Sequence, residues 1–230
     1  REPKQILLPG SPEIVVAVIR NARSRRLSLR LSRMRAQATL TMPPHCTMSE
    51  AERFVREKES WLRQHFAATP ERVTVGFDTK ILIEGRPVPI CQGTGRRTHL
   101  TSDALLVPPG DDMIGARVKA FLKLRAKSAL HTATQHYADA LGQNFGRITL
   151  RDTTSRWGSC SSQRNINYSW RLIMAPKEVL NYVAAHEVAH LIEMNHSPAY
   201  WAQVARVYPN YQEPRDWLRE QGERLHSFEF

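Results

Sequence analysis

The sequence predicts an α+β fold: a mostly β N-terminal portion with one amphipathic helix, then a helical portion with a small antiparallel sheet. Three observations carry this. Apolar and polar side chains alternate through residues 13–42 and again through residues 81–107; apolar residues recur at helical spacing after residue 110; and two proline breaks, Pro43-Pro44 and Pro108-Pro109-Gly110, separate the patterns.

In the first stretch Ile14, Val16 and Val18 alternate with their neighbours, and Leu27, Leu29 and Leu31 alternate with Arg26, Ser28 and Arg30, so one strand face is buried and the other wet. After Pro43-Pro44, Thr47 to Phe66 carries an apolar stripe of Phe54, Trp61 and Leu62, and Ser49 followed by Glu52 reads as a capping box opening an amphipathic helix. Ile81 to Ile90, interrupted by the turn-former Gly85, and Thr98 to Val107 read as further strands. Pro108-Pro109-Gly110 is the expected boundary between a β-rich portion, 1–110, and a second portion, 111–230.

Beyond it, Ile114, Val118, Phe121, Leu122 and Leu130 mark a long helix over Asp111 to Leu141, stopped by Gly142. Two strands follow, Arg147 to Thr153 and Asn165 to Ile173, joined by the polar turn Cys160 to Arg164. A second helix starts near Pro176 and runs to about Met194; helical patterns then occupy Ser197 to Val207 and Pro214 to Leu225.

The 230 residues suffice for a buried core without disulfide staples. Three widely separated cysteines, Cys46, Cys91 and Cys160, form no C-x-x-C pair, which argues against a zinc ribbon or dithiol redox motif and for a reducing, cytoplasmic setting. No apolar run is long enough to cross a bilayer, and Arg1 to Ser11 lacks the apolar stretch of a signal peptide, so a soluble protein without a membrane partner is expected. The net charge of +11 favours anionic partners, whether nucleotide, nucleic acid or acidic protein segments. Arg20 to Arg35 is the densest basic stretch, but its alternation with leucines describes a solvated strand face, and no nucleic-acid motif accompanies it.

The string His186-Glu187-Val188-Ala189-His190 lies inside the second helix of this portion. Residues i and i+4 differ by only about 40° around a helix, so both imidazoles leave one face and can share a metal. Neutral imidazole binds zinc at about 2.0–2.1 Å, and a catalytic site takes three protein ligands and keeps a fourth position open. Glu187, beside that opening, is placed to take a proton from metal-activated water and deliver it to a leaving group. On this composition the string would arise by chance roughly twice in a hundred chains, so its helical context and a following histidine have to decide. His196 is the favoured third ligand, returned to the metal if Asn195 adopts left-handed geometry. Glu193, Glu213, Glu220 and Glu223 are the competing carboxylates, and Glu193 is better suited to orient a ligand from behind.

Three strings together, Ser155-Arg156-Trp157-Gly158-Ser159-Cys160-Ser161, Asn167-Tyr168-Ser169-Trp170-Arg171-Leu172, and His186 through Trp201, resemble the YgjP-like family of zinc metallohydrolases, with SprT-type and WLM-type metallopeptidases similar in the histidine helix. The resemblance implies a zincin-like core in the second portion, one Zn2+ per chain, and hydrolysis of a peptide or of a nucleotide phosphoanhydride. In a zincin-like arrangement the strand nearest the histidine helix edges the substrate cleft, where Arg156 or Arg171 could stabilise an oxyanion or bind an anion; ordinary ion pairing is the competing use of both. Trp157 and Trp170 read as core or cleft wall, Cys160 as a small packed residue, and Tyr182 as a packed helix tyrosine.

The leading expectation is therefore a zinc metallopeptidase with catalytic Glu187, Arg156 and Arg171, metal ligands His186, His190 and His196, and a peptide or protein substrate. A nucleotide pyrophosphatase on the same site is the first alternative. A nucleic-acid-binding protein with a structural metal is the second, disfavoured because structural zinc normally takes four protein ligands.

Overall fold

The protein is described by a computed structural model covering residues 4–32, 37–67 and 72–230. It forms two compact units, divided between Glu71 and Arg72.

The first unit holds strands β1 (Lys4–Leu8), β2 (Ile14–Arg20), β3 (Ser28–Ser32) and β4 (Gln37–Met42) in the order β1-β2-β4-β3. The β1/β2 and β3/β4 pairs are antiparallel and β2/β4 is parallel. Alternation works as expected: Ile14, Val16 and Val18 turn inward with Ile6, Leu8 and Leu40, against Ala51, Val55 and Leu62. Strand β1 escaped the sequence reading because its polar residues hide a short alternation. Of the basic stretch, residues 33–36 lie outside the described residues.

The helix expected over Thr47 to Phe66 is two, α1 (Met48–Glu57) and α2 (Glu59–Ala67), broken at Lys58. Its capping box is Thr47 with Glu50, two residues before the pair expected. Thr47 holds the extended backbone that an N-cap requires, its hydroxyl accepts the Glu50 N–H at 3.2 Å, and the Glu50 carboxylate accepts the Thr47 N–H at 2.7 Å.

The second unit begins with β5 (Val73–Thr74), then β6 (Lys80–Ile83), β7 (Arg86–Gln92), β8 (His99–Leu100) and β9 (Leu105–Val107), the last four forming a sheet in the order β6-β7-β9-β8. Helix α3 (Ile114–Leu141) follows, stopped by Gly142 at φ 64°. Then come β10 (Ile148–Arg151), β11 (Gly158–Cys160), β12 (Ile166–Ser169), a 3-10 segment (Trp170–Met174), α4 (Lys177–Ala189), α5 (Pro198–Val207), α6 (Gln212–Gln221), a second 3-10 segment (Gly222–His226) and β13 (Phe228–Glu229), which pairs with β5. Among the described residues, no helix is long and apolar enough to cross a membrane.

The sequence placed a division at residue 110; the compact units divide at 71. Pro108-Pro109-Gly110 is a corner, not a linker, because Arg117 donates to the Pro108 and Pro109 carbonyls at 2.7 and 2.6 Å. Ile81, Ile83, Ile90, Leu105 and Val107 share one buried core with α3 and α4. Backbone bonds from Glu84 N to Ile173 O at 2.8 Å and Gly85 N to Met174 O at 3.1 Å stitch the β6/β7 turn to the segment just before α4. Splitting at residue 110 would cut this core in two.

The small sheet runs β10-β12-β11. It is mixed, not antiparallel throughout: β11 pairs antiparallel with β12, but β10 pairs parallel. Residues 152–165 supply both the crossover that a parallel pair needs and the strand β11, where the sequence showed two strands and the polar turn Cys160 to Arg164. The strand expected to continue to Ile173 ends at Ser169, where the chain coils into the 3-10 segment.

Arg171 ties this region to the C-terminus. It is 7% exposed, donates to Asp152 at 2.7 and 3.4 Å and to the carbonyls of Leu225 and Phe228 at 2.8 and 3.1 Å, and lies over the Trp170 and Phe230 rings. Burial works against the Asp152 carboxylate, yet the Arg171 hydrogen bond and charge outweigh it and hold its pKa below the usual value. Nearby, burial pushes the His226 imidazole, stacked on Trp157, down to about 4. Both shifts have the same sign in acid. An unfolded chain protonates histidine near pH 6.5 while folded His226 resists until about 4, so stability falls as pH drops through that window, and the Asp152 contribution goes as its carboxylate protonates. His226→Phe is expected to flatten the decline in Tm between pH 6.5 and 4; an unchanged slope would place the acid sensitivity elsewhere.

Candidate metal centre

Helix α4 carries His186, Glu187 and, at its C-cap, His190. Its start at Pro176 suits a residue that cannot donate, and its alanines and valines bury it on almost every side. The helix ends at Ala189, short of the expected Met194. There the backbone tightens: Leu191 N reaches Val188 O at 2.9 Å, and Ile192 and Glu193 both donate to Ala189 O at 3.1 Å. Asn195 is not left-handed, since among the described residues the non-glycine ones with positive φ are Asp78, Glu84 and Arg164. The reversal rests on this tightened turn, on Ser197 N donating to Asn195 O at 2.7 Å, and on Ser197 capping α5 ahead of Pro198.

The turn brings His196 back over α4. Ligand atoms of His186, His190 and His196 lie within 4.8 Å of one another, a group that could hold a metal ion. The Nε2 atoms of His186 and His196 are 3.2 Å apart. Two nitrogens on a tetrahedral zinc at about 2.0–2.1 Å are separated by about 3.3 Å, so this pair is already spaced for a shared cation. A carbonyl can only accept, so the 3.0 Å contact between His190 Nδ1 and Glu193 O puts the proton on Nδ1 and leaves Nε2 with its lone pair. Burial pushes His186 down to about 3, with His190 and His196 adding to the effect, and burial likewise lowers His190. These imidazoles are neutral, the form that binds metal.

Glu187 is 4% exposed, and its Oε2 has no hydrogen-bond partner. Burial pushes its carboxyl up to about 8, with Arg156 pulling the other way. The space it occupies exists because residue 158 is glycine: a Cβ there would stand 2.7 Å from the Glu187 carboxyl carbon. A cavity of about 430 Å³ opens over these groups, lined by Arg156 and Trp157, by Gly158 to Cys160 of β11, and by Tyr182, Val183, Met194 and Leu218. An unpaired buried carboxylate oxygen costs stability unless something in the cavity uses it. Together with three convergent imidazoles, it fits a bound cation with a water or substrate beside it.

Of the residues expected at the site, His186, Glu187, His190 and His196 come together, and the exposed Arg156 lines the cavity. Arg171 does not; its guanidinium is committed to Asp152 and the C-terminal carbonyls. Among the described residues the three-histidine group includes no Glu193, Glu213, Glu220 or Glu223. Glu193 does orient His190 from behind, but through its backbone carbonyl and not its carboxylate. Cys160 lines the cavity with its thiol pushed up to about 11 by burial, and therefore protonated. Tyr182, pushed up to about 12 by burial, meets the His186 ring edge-on at 5.8 Å.

Two residues escaped the sequence reading. Fully buried Tyr200 stacks on His190 at 4.5 Å, meets His196 edge-on at 4.7 Å, and donates its hydroxyl to the His186 carbonyl at 2.9 Å. Its position four residues after His196, in the first turn of a capped helix, was the available signal. Arg215 lies over the Trp201 ring at 4.6 Å and helps to depress His186; nothing local in the sequence marks it.

A family model for the YgjP-like metallopeptidase domain matches residues 25–221. The crystal structure of the metallopeptidase zymogen of Pyrococcus abyssi abylysin is similar at 22% identity and a TM-score of 0.37, over 40% of this chain and 95% of that one. No curated protein matches the chain.

Proposed function

The chain belongs to the YgjP-like metallopeptidase family, metal-dependent peptidases as a class, and from that premise we propose that it cleaves peptide bonds with zinc held by His186, His190 and His196 and with Glu187 as the proton carrier. The observation that carries this reading is the buried, unpartnered Oε2 of Glu187 beside three converging imidazoles.

Bound there, zinc supplies Lewis acidity, polarising a carbonyl and acidifying water. Glu187 takes a proton at its free carboxylate oxygen and returns it to the departing amine nitrogen. A carboxyl whose affinity for protons is raised by burial suits both halves of that task near neutral pH. Gly158, having no Cβ, leaves the carboxyl room to lie against β11. Strand β11 is an outer edge of its sheet and one wall of the cavity, so an extended peptide can lie along it with main-chain hydrogen bonds. Arg156, which lines the cavity two residues before β11, is the cation we assign to a developing oxyanion or a substrate carboxylate. No substrate role is assigned to Arg171.

The protein loaded with zinc, incubated with a mixed peptide library and separately with nucleoside triphosphates, is expected to cut peptides, to stop on chelation, and to resume when zinc is restored. Hydrolysis of triphosphates with peptides left intact would move the site to phosphoanhydride chemistry. His196→Ala is expected to weaken zinc retention strongly by metal analysis; undiminished binding would remove His196 from the ligand set. Tyr200→Ala should lower zinc affinity by about 10–100-fold, the range for residues that orient ligands. Tyr200→Phe, which keeps the stacked ring, should lose much less. Chelator competition measures both, and equal losses would assign the effect to the hydroxyl alone.

A further inference from the structure

The edge of the small sheet opposite β11 is β10, paired with β12 alone among the described residues. Its phase is set by one bond, Ile166 N to Arg147 O at 3.0 Å. In a parallel ladder alternate residues face the partner, so Arg147, Thr149 and Arg151 direct their backbone groups to β12, while Ile148 and Leu150 turn their N–H and C=O outward. That outer edge and the exposed flank of α3 enclose a groove of about 720 Å³ sharing no residue with the histidine cavity.

The groove is strongly basic. Lys123 and Lys127 line it from α3, Arg151 from β10 and Arg147 from the residue just before that strand, and no carboxylate lines it. Among the described residues no carboxylate pairs with any of the four. Between the lysines stands Leu124, 71% exposed, which also lines an adjoining hollow with Arg96 and Arg97. Arginines on an edge strand can serve only to discourage unwanted pairing. That purpose does not require two lysines on the facing helix with an exposed leucine between them.

We infer that the groove between α3 and the outer edge of β10 binds an extended acidic peptide segment, which joins the sheet as a fourth strand. The spacing supports this occupant. Lys123 and Lys127 are separated by about 6 Å along the helix axis, and carboxylates two residues apart on one face of a strand by about 6.8 Å. The outward N–H and C=O groups of Ile148 and Leu150 match a peptide backbone, which both donates and accepts. A phosphate backbone only accepts, and would meet those carbonyls unfavourably.

The test is fluorescence anisotropy with the full chain and a labelled octapeptide alternating glutamate with threonine. Binding is expected to weaken with salt and to fall at least tenfold in the Lys123→Glu/Lys127→Glu variant. A peptide carrying N-methyl groups on its edge-facing amides should also lose at least tenfold, a result that does not depend on how the variants fold. The Arg25→Glu/Arg30→Glu variant, with the same change in net charge on the first unit, should bind within about twofold of the parent. Equal loss in both variants, undiminished binding of the N-methylated peptide, or tighter binding of oligodeoxythymidine that displaces the peptide would each overturn the assignment.

Discussion

Glu187→Gln is expected to lower kcat for peptide cleavage by about 10²–10⁴-fold, the range attributed to a positioned general acid and base, while leaving zinc content and fold intact. Glutamine keeps the shape that fits against Gly158 but cannot carry a proton. The native carboxyl is 4% exposed, raised to about 8 by burial, with Arg156 offsetting part of that rise. Keeping such a group ionisable in a cleft works against stability, so the neutral amide should be tolerated and the Tm held or slightly raised. The decisive combination is activity lost with one zinc retained, read by metal analysis and by kcat on the same preparation. Activity within tenfold of the parent would remove Glu187 from the proton path. Loss of zinc along with activity would mean that the carboxylate acts on the metal site itself.

The parts of this molecule legible in the sequence are those whose determinants are local. His186, Glu187 and His190 lie within one helical turn and a half, so residue spacing alone places them on one face. Gly142 and the Ser197-Pro198 pair mark helix ends by chemistry that acts within a few residues. His196 was expected at the metal for an incorrect local reason: the chain reverses through a tightened carbonyl network and not through a left-handed Asn195. What could not be read depends on distant partners. The division at residue 71 follows from Ile81, Ile90 and Leu105 packing on α3 and α4, whereas prolines at residues 108 and 109 resemble any linker until Arg117 is seen holding their carbonyls. Tyr200 and Gly158 act by touching His190 and Glu187 across the fold, and β11 is too short to alternate visibly.

Arg171 shows the same limit most sharply, and it supplies the largest expected effect on stability. Beside the motif strings, an arginine reads equally well as an oxyanion cation or as an ion-pair partner. In the fold its Nη1 satisfies the Leu225 and Phe228 carbonyls while Nε and Nη2 grip Asp152. Arg171→Met keeps the bulk against Trp170 and Phe230 but strands two buried carbonyls and the Asp152 carboxylate. Removing one partner of a buried ion pair costs about 3–5 kcal/mol; the Asp152 side chain is 37% exposed, which favours the lower end. For a unit of this size that corresponds to roughly 10 °C in Tm. Asp152→Asn, which leaves the carbonyl contacts in place, should cost less. Because the guanidinium lies outside the histidine cavity, kcat per folded, zinc-loaded molecule should stay within about threefold of the parent at a temperature where both are folded. A variant that melts normally but has lost kcat would return Arg171 to the substrate; one that melts early yet turns over normally identifies it as the clamp on the C-terminal strand, whose pairing with β5 would then be the first contact to open on heating.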